Sequence, residues 1–303
     1  MSVNMSASTT TKLKIVFGAM TTGKPGTVGS RVDTVEEGGK LLDIFQAHGY
    51  NEIDTARVYG NGTTEEMLGE LKWQDRKIVM GTKLYPNAGT QYAQNIDLFY
   101  LHGPDRKTPF EDTLREMNKL HEEGHFNRFG ISNYMSWEVA QMSEICIRNN
   151  WIRPNIYQGV YHALQRTTEA GLFPCLHFYN ISLYAFRPLS GGFLTGRYTR
   201  DQQEFEAGSR FDPKIMQGKL YHGRYWNEAY FDRFGSHTSC RWMEHHSLMK
   251  RENGDAVIVG ASSVKHLEEN LNDLEKCPLP DDVVETLEKA WLGVKGVAPK
   301  YWH

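Results

Sequence analysis

The chain has 303 residues, 40% of them hydrophobic and 23% charged, with a formal net charge of −3. That length suits one large α/β domain or two ordinary ones and is ample for a buried core. The charge balance offers no electrostatic basis for binding nucleic acid or an acidic membrane, and no apolar run approaches the roughly 20 residues that cross a bilayer.

The opening MSVNMSASTTTK is small and polar with no apolar segment. It reads as a disordered tail over residues 1–12, ahead of a single domain over 13–303 in a cytoplasmic protein. From there strand and helix patterns alternate. LKIVFGAM (13–20) precedes the helical TVEEGGKLLDIFQAHG, and NEIDTA (51–56) precedes TTEEMLGELK. KIVMGTKL (77–84) and NIDLFYLHG (95–103) follow, and then the helical FEDTLREMNKLHEEG. FNRFGISN (126–133) leads into SWEVAQMSEICIRNN, and IYQGVYHA (156–163) into a short LFPCLHFY. SLYAFRPL (182–189) is separated from the helical CRWMEHHSLMK by a Gly-rich, aromatic stretch, Gly191 to Phe234. That stretch is too long for a simple connection and is expected to fold over the mouth of the domain. DAVIVGAS (255–262) is the last strand, with SVKHLEENLNDLEK and DDVVETLEKAW after it. Ser136 and Ser263 stand where N-caps belong. Cys146, Cys175, Cys240 and Cys277 form no CxxC pair and read as free thiols. His245 and His246 are adjacent, so on a helix they point about 100° apart; a structural role is expected, and no metal site.

Eight strands alternating with helices predict an α/β fold of the (β/α)8 TIM-barrel type. A doubly wound sheet is the weaker alternative, because no strand–GxGxxG–helix unit exists; GNGTTE (60–65) has only two glycines. In a barrel the carboxyl ends of all strands face one mouth, and those ends carry Asp54, Tyr59, Lys83 and His102. Singly, such residues are ordinary caps, core aromatics or solvated cations. Together they have a chemical logic. A tyrosine normally holds its proton to about pH 10. A buried Lys83 ammonium is expected to lower that pKa, with Asp54 keeping the lysine charged, so that Tyr59 can protonate a carbonyl oxygen held by His102.

The stretches DTARVYGNGTTEEMLG (54–69), TKLYP (82–86), IDLFYLHGPD (96–105), FGISNY (129–134), YQGVYHALQR (157–166), PLSGGFLTGRY (188–198) and GASSVKHLEENL (260–271) together resemble the aldo-keto reductases. The branch they are most similar to is that of the aflatoxin-aldehyde (dialdehyde) reductases and their fungal relatives. The resemblance implies NADPH-dependent reduction of a small-molecule aldehyde or ketone, with Asp54, Tyr59, Lys83 and His102 catalytic and Tyr59 the acid. It implies that Ser132, Asn133 and Gln158 hold the nicotinamide carboxamide and that Phe186 stacks on the ring. Pro188, Leu189, Gly191, Thr195 and Arg197 belong to the segment folded over the pyrophosphate. Ser262, His266, Glu269 and Asn270 meet the adenosine end, and Arg197, Arg210 and Lys265 are the cations suited to the 2′-phosphate. A homodimer is expected from the same resemblance.

The chain departs from that pattern. Only nine residues, Pro86 to Gln94, lie between the third and fourth strands, where relatives have a helix, and Phe231–Ser239 is shortened where they have another. His162 and Arg187 stand where asparagines are usual. A barrel lacking these helices leaves a second expectation open: a catalytically weak or inactive homologue that only binds the cofactor, or one that does not fold stably.

Overall fold

The runs KIVFG, IYQGV and AVIV are buried almost throughout, as strands must be when a parallel sheet is covered on both faces. A computed structural model describes residues 11–85, 96–231 and 238–303. In it β1 (Lys14–Gly18), β2 (Glu52–Asp54), β3 (Val79–Leu84), β4 (Ile96–Leu101), β5 (Phe126–Ser132), β6 (Ile156–Val160), β7 (Ser182–Phe186) and β8 (Ala256–Val259) pair in chain order, all parallel. β8 returns to β1, with Phe17 opposite Val259, so the sheet closes into a barrel. This is the fold class expected from the alternation.

The surrounding helices are α1 (Val35–Ala47), α2 (Thr63–Glu70), α3 (Phe110–Glu122), α4 (Ser136–Asn149), α5 (Leu172–Tyr179), α6 (Met216–Tyr225), α7 (Glu228–Phe231), α8 (Thr238–His245), α9 (Val264–Leu274) and α10 (Asp281–Val294). Apolar spacing turns one face of each long helix inward: Leu41, Leu42 and Phe45 from α1, Leu267 and Leu271 from α9. Each such fully buried side chain contributes roughly 1.5–3 kcal/mol. Ser263 caps α9 by accepting from the His266 N–H at 3.2 Å. Ser136 is not a cap. It lies one residue inside α4, whose start is tied instead by Glu138 accepting from the Met135 N–H at 2.7 Å.

Among the described residues, three α-helices, α6 to α8, separate β7 from β8. Phe193, Phe211, Tyr221, Tyr225 and Tyr230 form an aromatic cluster of their own there, with Trp226 packed against it. Both expected helix deletions bear on residues 86–95 and 232–237, which lie outside the described residues, as does the tail up to residue 10. Thr11, the first described residue, is buried and its carbonyl accepts from Arg251 at 2.9 Å.

At the amino-terminal pole of the barrel the interior is closed by charge. Arg128 bonds Asp97 at 2.6 Å and Glu52 at 3.2 Å, Lys14 pairs with Glu52, and both cations donate to the Tyr184 hydroxyl, at 3.1 and 3.2 Å. His245 and His246 bond backbone groups at Lys276 and Leu279, which ties α8 to the segment after α9.

Candidate functional site

The carboxyl pole is the open one. Asp54 is the last residue of β2, Lys83 lies within β3, and His102 directly follows β4. Tyr59 is placed by the turn Tyr59–Gly62, in which Gly60, Asn61 and Gly62 take positive φ of 51°, 55° and 95°. At Gly62 a φ of 95° lies in the left-handed region that side chains rarely adopt, so glycine is required there by the backbone of the turn.

Lys83 is fully buried and donates to Asp54 Oδ2 at 2.6 Å and to the Thr55 carbonyl at 2.7 Å. Gln158 Nε2 donates to the other carboxylate oxygen of Asp54 at 2.8 Å. The ammonium lies 4.8 Å from the centroid of the Tyr59 ring, and that ring meets His102 edge-on at 6.1 Å. Tyr85 stacks on His102 with ring centroids 4.6 Å apart. Asp54, Tyr59, Lys83 and His102 are therefore brought together.

Their electrostatics follow from burial first. Burial pushes the Asp54 carboxyl up, against the pull of Lys83. Burial opposes the charge of Lys83, but Asp54 and then Tyr59 overcome it and its pKa is raised. The phenol of Tyr59 differs from expectation. Lys83 does pull its pKa down, yet burial outweighs that pull and the net direction is up. His102 is lowered to about 3 by burial, with Lys83 and His303 adding to the effect, so its imidazole is neutral at ordinary pH; its Nδ1 has no partner among the described residues.

These groups open into a cavity of about 680 Å³. Ser132, Asn133, Gln158 and Phe186 line it together with Tyr59, as do Pro188, Leu189, Gly191, Thr195, Arg197 and Arg210 and, around the start of α9, Ser262, His266, Glu269 and Asn270. Asn133 donates to the His102 carbonyl at 2.8 Å, and Asn270 to the Gly260 carbonyl at 3.2 Å. Ser262 Oγ and His266 Nδ1 lie 2.9 Å apart at the start of α9. Lys265 stays outside the lining, paired with Glu269 at 3.7 Å.

The stretch from Gly191 onward does form a wall of the mouth. Tyr225 lines the cavity, whereas Trp226 and Tyr230 pin the aromatic cluster behind it. Other lining residues escaped the sequence reading: Met20 and Thr21 after β1, Tyr85 after β3, Tyr221 and Arg224 on α6, and Pro299–His303. Tyr85 had a signal, its place next to a strand end. The segment at 299–303 had none, because only its path in space brings it to the mouth.

Among the described residues no carboxylate pairs with Arg187, Arg210 or Arg224, which converge on Tyr221. Arg210 donates to its hydroxyl at 3.0 Å, and the Arg187 guanidinium stands 5.1 Å from its ring centroid. Burial pushes that phenol up, but the three arginines prevail and bring its pKa down to about 8.

Comparison with known proteins agrees with this geometry. The model of the Aldo/keto reductase family matches residues 14–292. Aldo-keto reductase pigE of Monascus ruber is 43% identical over 340 positions, covering 98% of this chain and 99% of its own. Those positions outnumber the 303 residues here, so the relative has segments without a counterpart in this chain. Human aflatoxin B1 aldehyde reductase member 2 is 35% identical, with 94% of this chain and 92% of its own covered.

Proposed function

The chain belongs to the aldo/keto reductase family, and from that premise we propose that it reduces aldehydes or ketones to alcohols with NADPH, Tyr59 acting as the general acid. The observation that carries this reading is the buried Lys83–Asp54 pair beneath Tyr59, with a neutral His102 beside it. The donor set of the cavity suits the cofactor: the Asn133 and Gln158 amides with the Ser132 hydroxyl, the glycine turn at Gly191 and Gly192, the cations Arg197 and Arg210, and the start of α9. When bound, NADPH would supply hydride to the carbonyl carbon.

The chain's own groups do the rest. Tyr59 gives its proton to the carbonyl oxygen, and the raised pKa keeps that proton in place until the oxygen becomes basic. Lys83, held charged by Asp54, stabilises the tyrosinate that forms. His102 donates an N–H to the developing alkoxide. Arg197 and Arg210 would hold the 2′-phosphate. Small or aromatic aldehydes, ketoaldehydes and dialdehydes are the substrates this reading favours, and the human relative's being an aldehyde reductase supports an aldehyde. No helix among the described residues is long and apolar enough to cross a membrane; the reading takes the enzyme as cytoplasmic and homodimeric.

Titration with NADPH, following tryptophan fluorescence and melting temperature together, tests the first half. Saturable quenching with a raised melting point is expected. Turnover of aldehydes then tests the second half: Tyr59→Phe should lower kcat about 10²- to 10⁴-fold while NADPH binding is retained. Tight NADPH binding with negligible turnover, unchanged by Tyr59→Phe, would instead identify a cofactor-binding homologue without catalysis.

A further inference from the structure

β7 ends in a turn dense in left-handed backbone. Arg187, Ser190, Gly191 and Gly192 have φ of 63°, 50°, 70° and 96°. Glycine enters that region freely, but arginine and serine do not, so the turn needs hydrogen bonds to hold it. Three are visible in its backbone: the Ser190 N–H donates to the Arg187 carbonyl at 2.9 Å, the Gly192 N–H to the Leu189 carbonyl at 2.8 Å, and Ser239 Oγ to the Pro188 carbonyl at 2.6 Å.

The fourth tie is a side chain from the neighbouring strand end. His162 and Ser190 are both 0% exposed, and His162 Nε2 lies 2.9 Å from Ser190 Oγ and 3.4 Å from the Tyr225 hydroxyl. The Leu164 N–H donates to His162 Nδ1 at 3.3 Å, so Nδ1 is an acceptor and the ring proton sits on Nε2. Burial, reinforced by Arg187 and Arg166, brings this imidazole's pKa down to about 3, so the ring stays neutral across ordinary pH. Neither His162 nor Ser190 lines the cavity, whereas Arg187, Pro188, Leu189, Gly191 and Gly192 do. Whatever His162 contributes to the site passes through the turn, by the shorter contact to Ser190, or through the Tyr225 hydroxyl.

We infer that His162 is a positioning residue: its Nε2–H, donated to Ser190 Oγ, holds the 187–192 turn in the shape that walls the cavity and so governs cofactor affinity. The inference rests on the cofactor reading above. It is tested by titrating His162→Ala, Ser190→Ala and the double variant with NADPH, with aldehyde KM measured at saturating NADPH. Each single change should weaken NADPH about five- to tenfold, the effect of one lost hydrogen bond. The double variant should be no weaker than either single one, because both remove the same bond. Aldehyde KM should be unchanged, a split that general destabilisation would not produce. His162→Gln, whose amide N–H can reach Ser190, should recover part of the affinity. Ser190→Ala removes only a hydroxyl, so it remains informative where His162→Ala folds poorly. Wild-type affinity in Ser190→Ala, or additive losses in the double variant, would overturn this inference alone; absence of NADPH binding by the wild type would overturn the cofactor reading and this inference with it.

Discussion

Two side chains in the cavity have titrations that can be read separately from outside. His102 is neutral above about pH 3, so it contributes no limb to the pH dependence of kcat/KM, which should be flat between about pH 5 and 8. An inflection near the ordinary histidine range would contradict the burial described. Tyr221 behaves oppositely. Its folded pKa, about 8, lies below the ordinary 10.0, so it contributes stability that begins as pH rises through 8 and is complete above 10. The stability gap between wild type and Tyr221→Phe should widen over that window by about 2–3 kcal/mol, measured as denaturant midpoints at pH 7, 8, 9 and 10. A constant gap would mean that the three arginines do not act on this phenol. Asp54, Lys83 and His102 were legible because each stands at or beside a strand end, a one-dimensional property. The direction of the Tyr59 shift was not, because burial and a nearby cation oppose each other and only packing decides between them.

Among elements, the strands were the most legible, since buried parallel strands write themselves as continuous apolar runs. Their ends were less so: β2 is three residues, Glu52–Asp54, inside a longer strand-like stretch. The excursion between β7 and β8 was legible as a wall but not as helices. α6 is held by rings rather than by its own periodicity, and part of that packing comes from Phe205 and Phe211, outside the helix. Trp226 meets His222, Phe231, Phe205 and Phe211 with centroids at 4.6, 4.7, 5.2 and 5.8 Å. Trp226→Ala should therefore cost about 2 kcal/mol, felt locally. Limited proteolysis should cut sooner between residues 200 and 215, while the global melting temperature moves little. Equal loss in both would show that the excursion unfolds only with the barrel.

For the whole molecule, barrel closure from β1 through β8 was legible from the count and order of strands. The charged plug at the opposite pole was not. Lys14, Glu52, Asp97, Arg128 and Tyr184 come from five strands, and nothing in any one of them marks it as part of a network. Arg128→Met should remove about 2 kcal/mol of stability, because it leaves Glu52 with Lys14 alone and Asp97 with the Asn127 amide alone, and should leave kcat and KM unchanged. A fall in kcat would show that the two poles are coupled. The plug also bears on how such a chain can change over generations. Its members depend on one another, so substitutions there must arrive in compensating sets, whereas the loops of the mouth that carry no such ties can be altered one residue at a time. The molecule keeps its conservative end and its exploratory end on opposite sides of one barrel, and new substrate preferences can arise without renegotiating the fold.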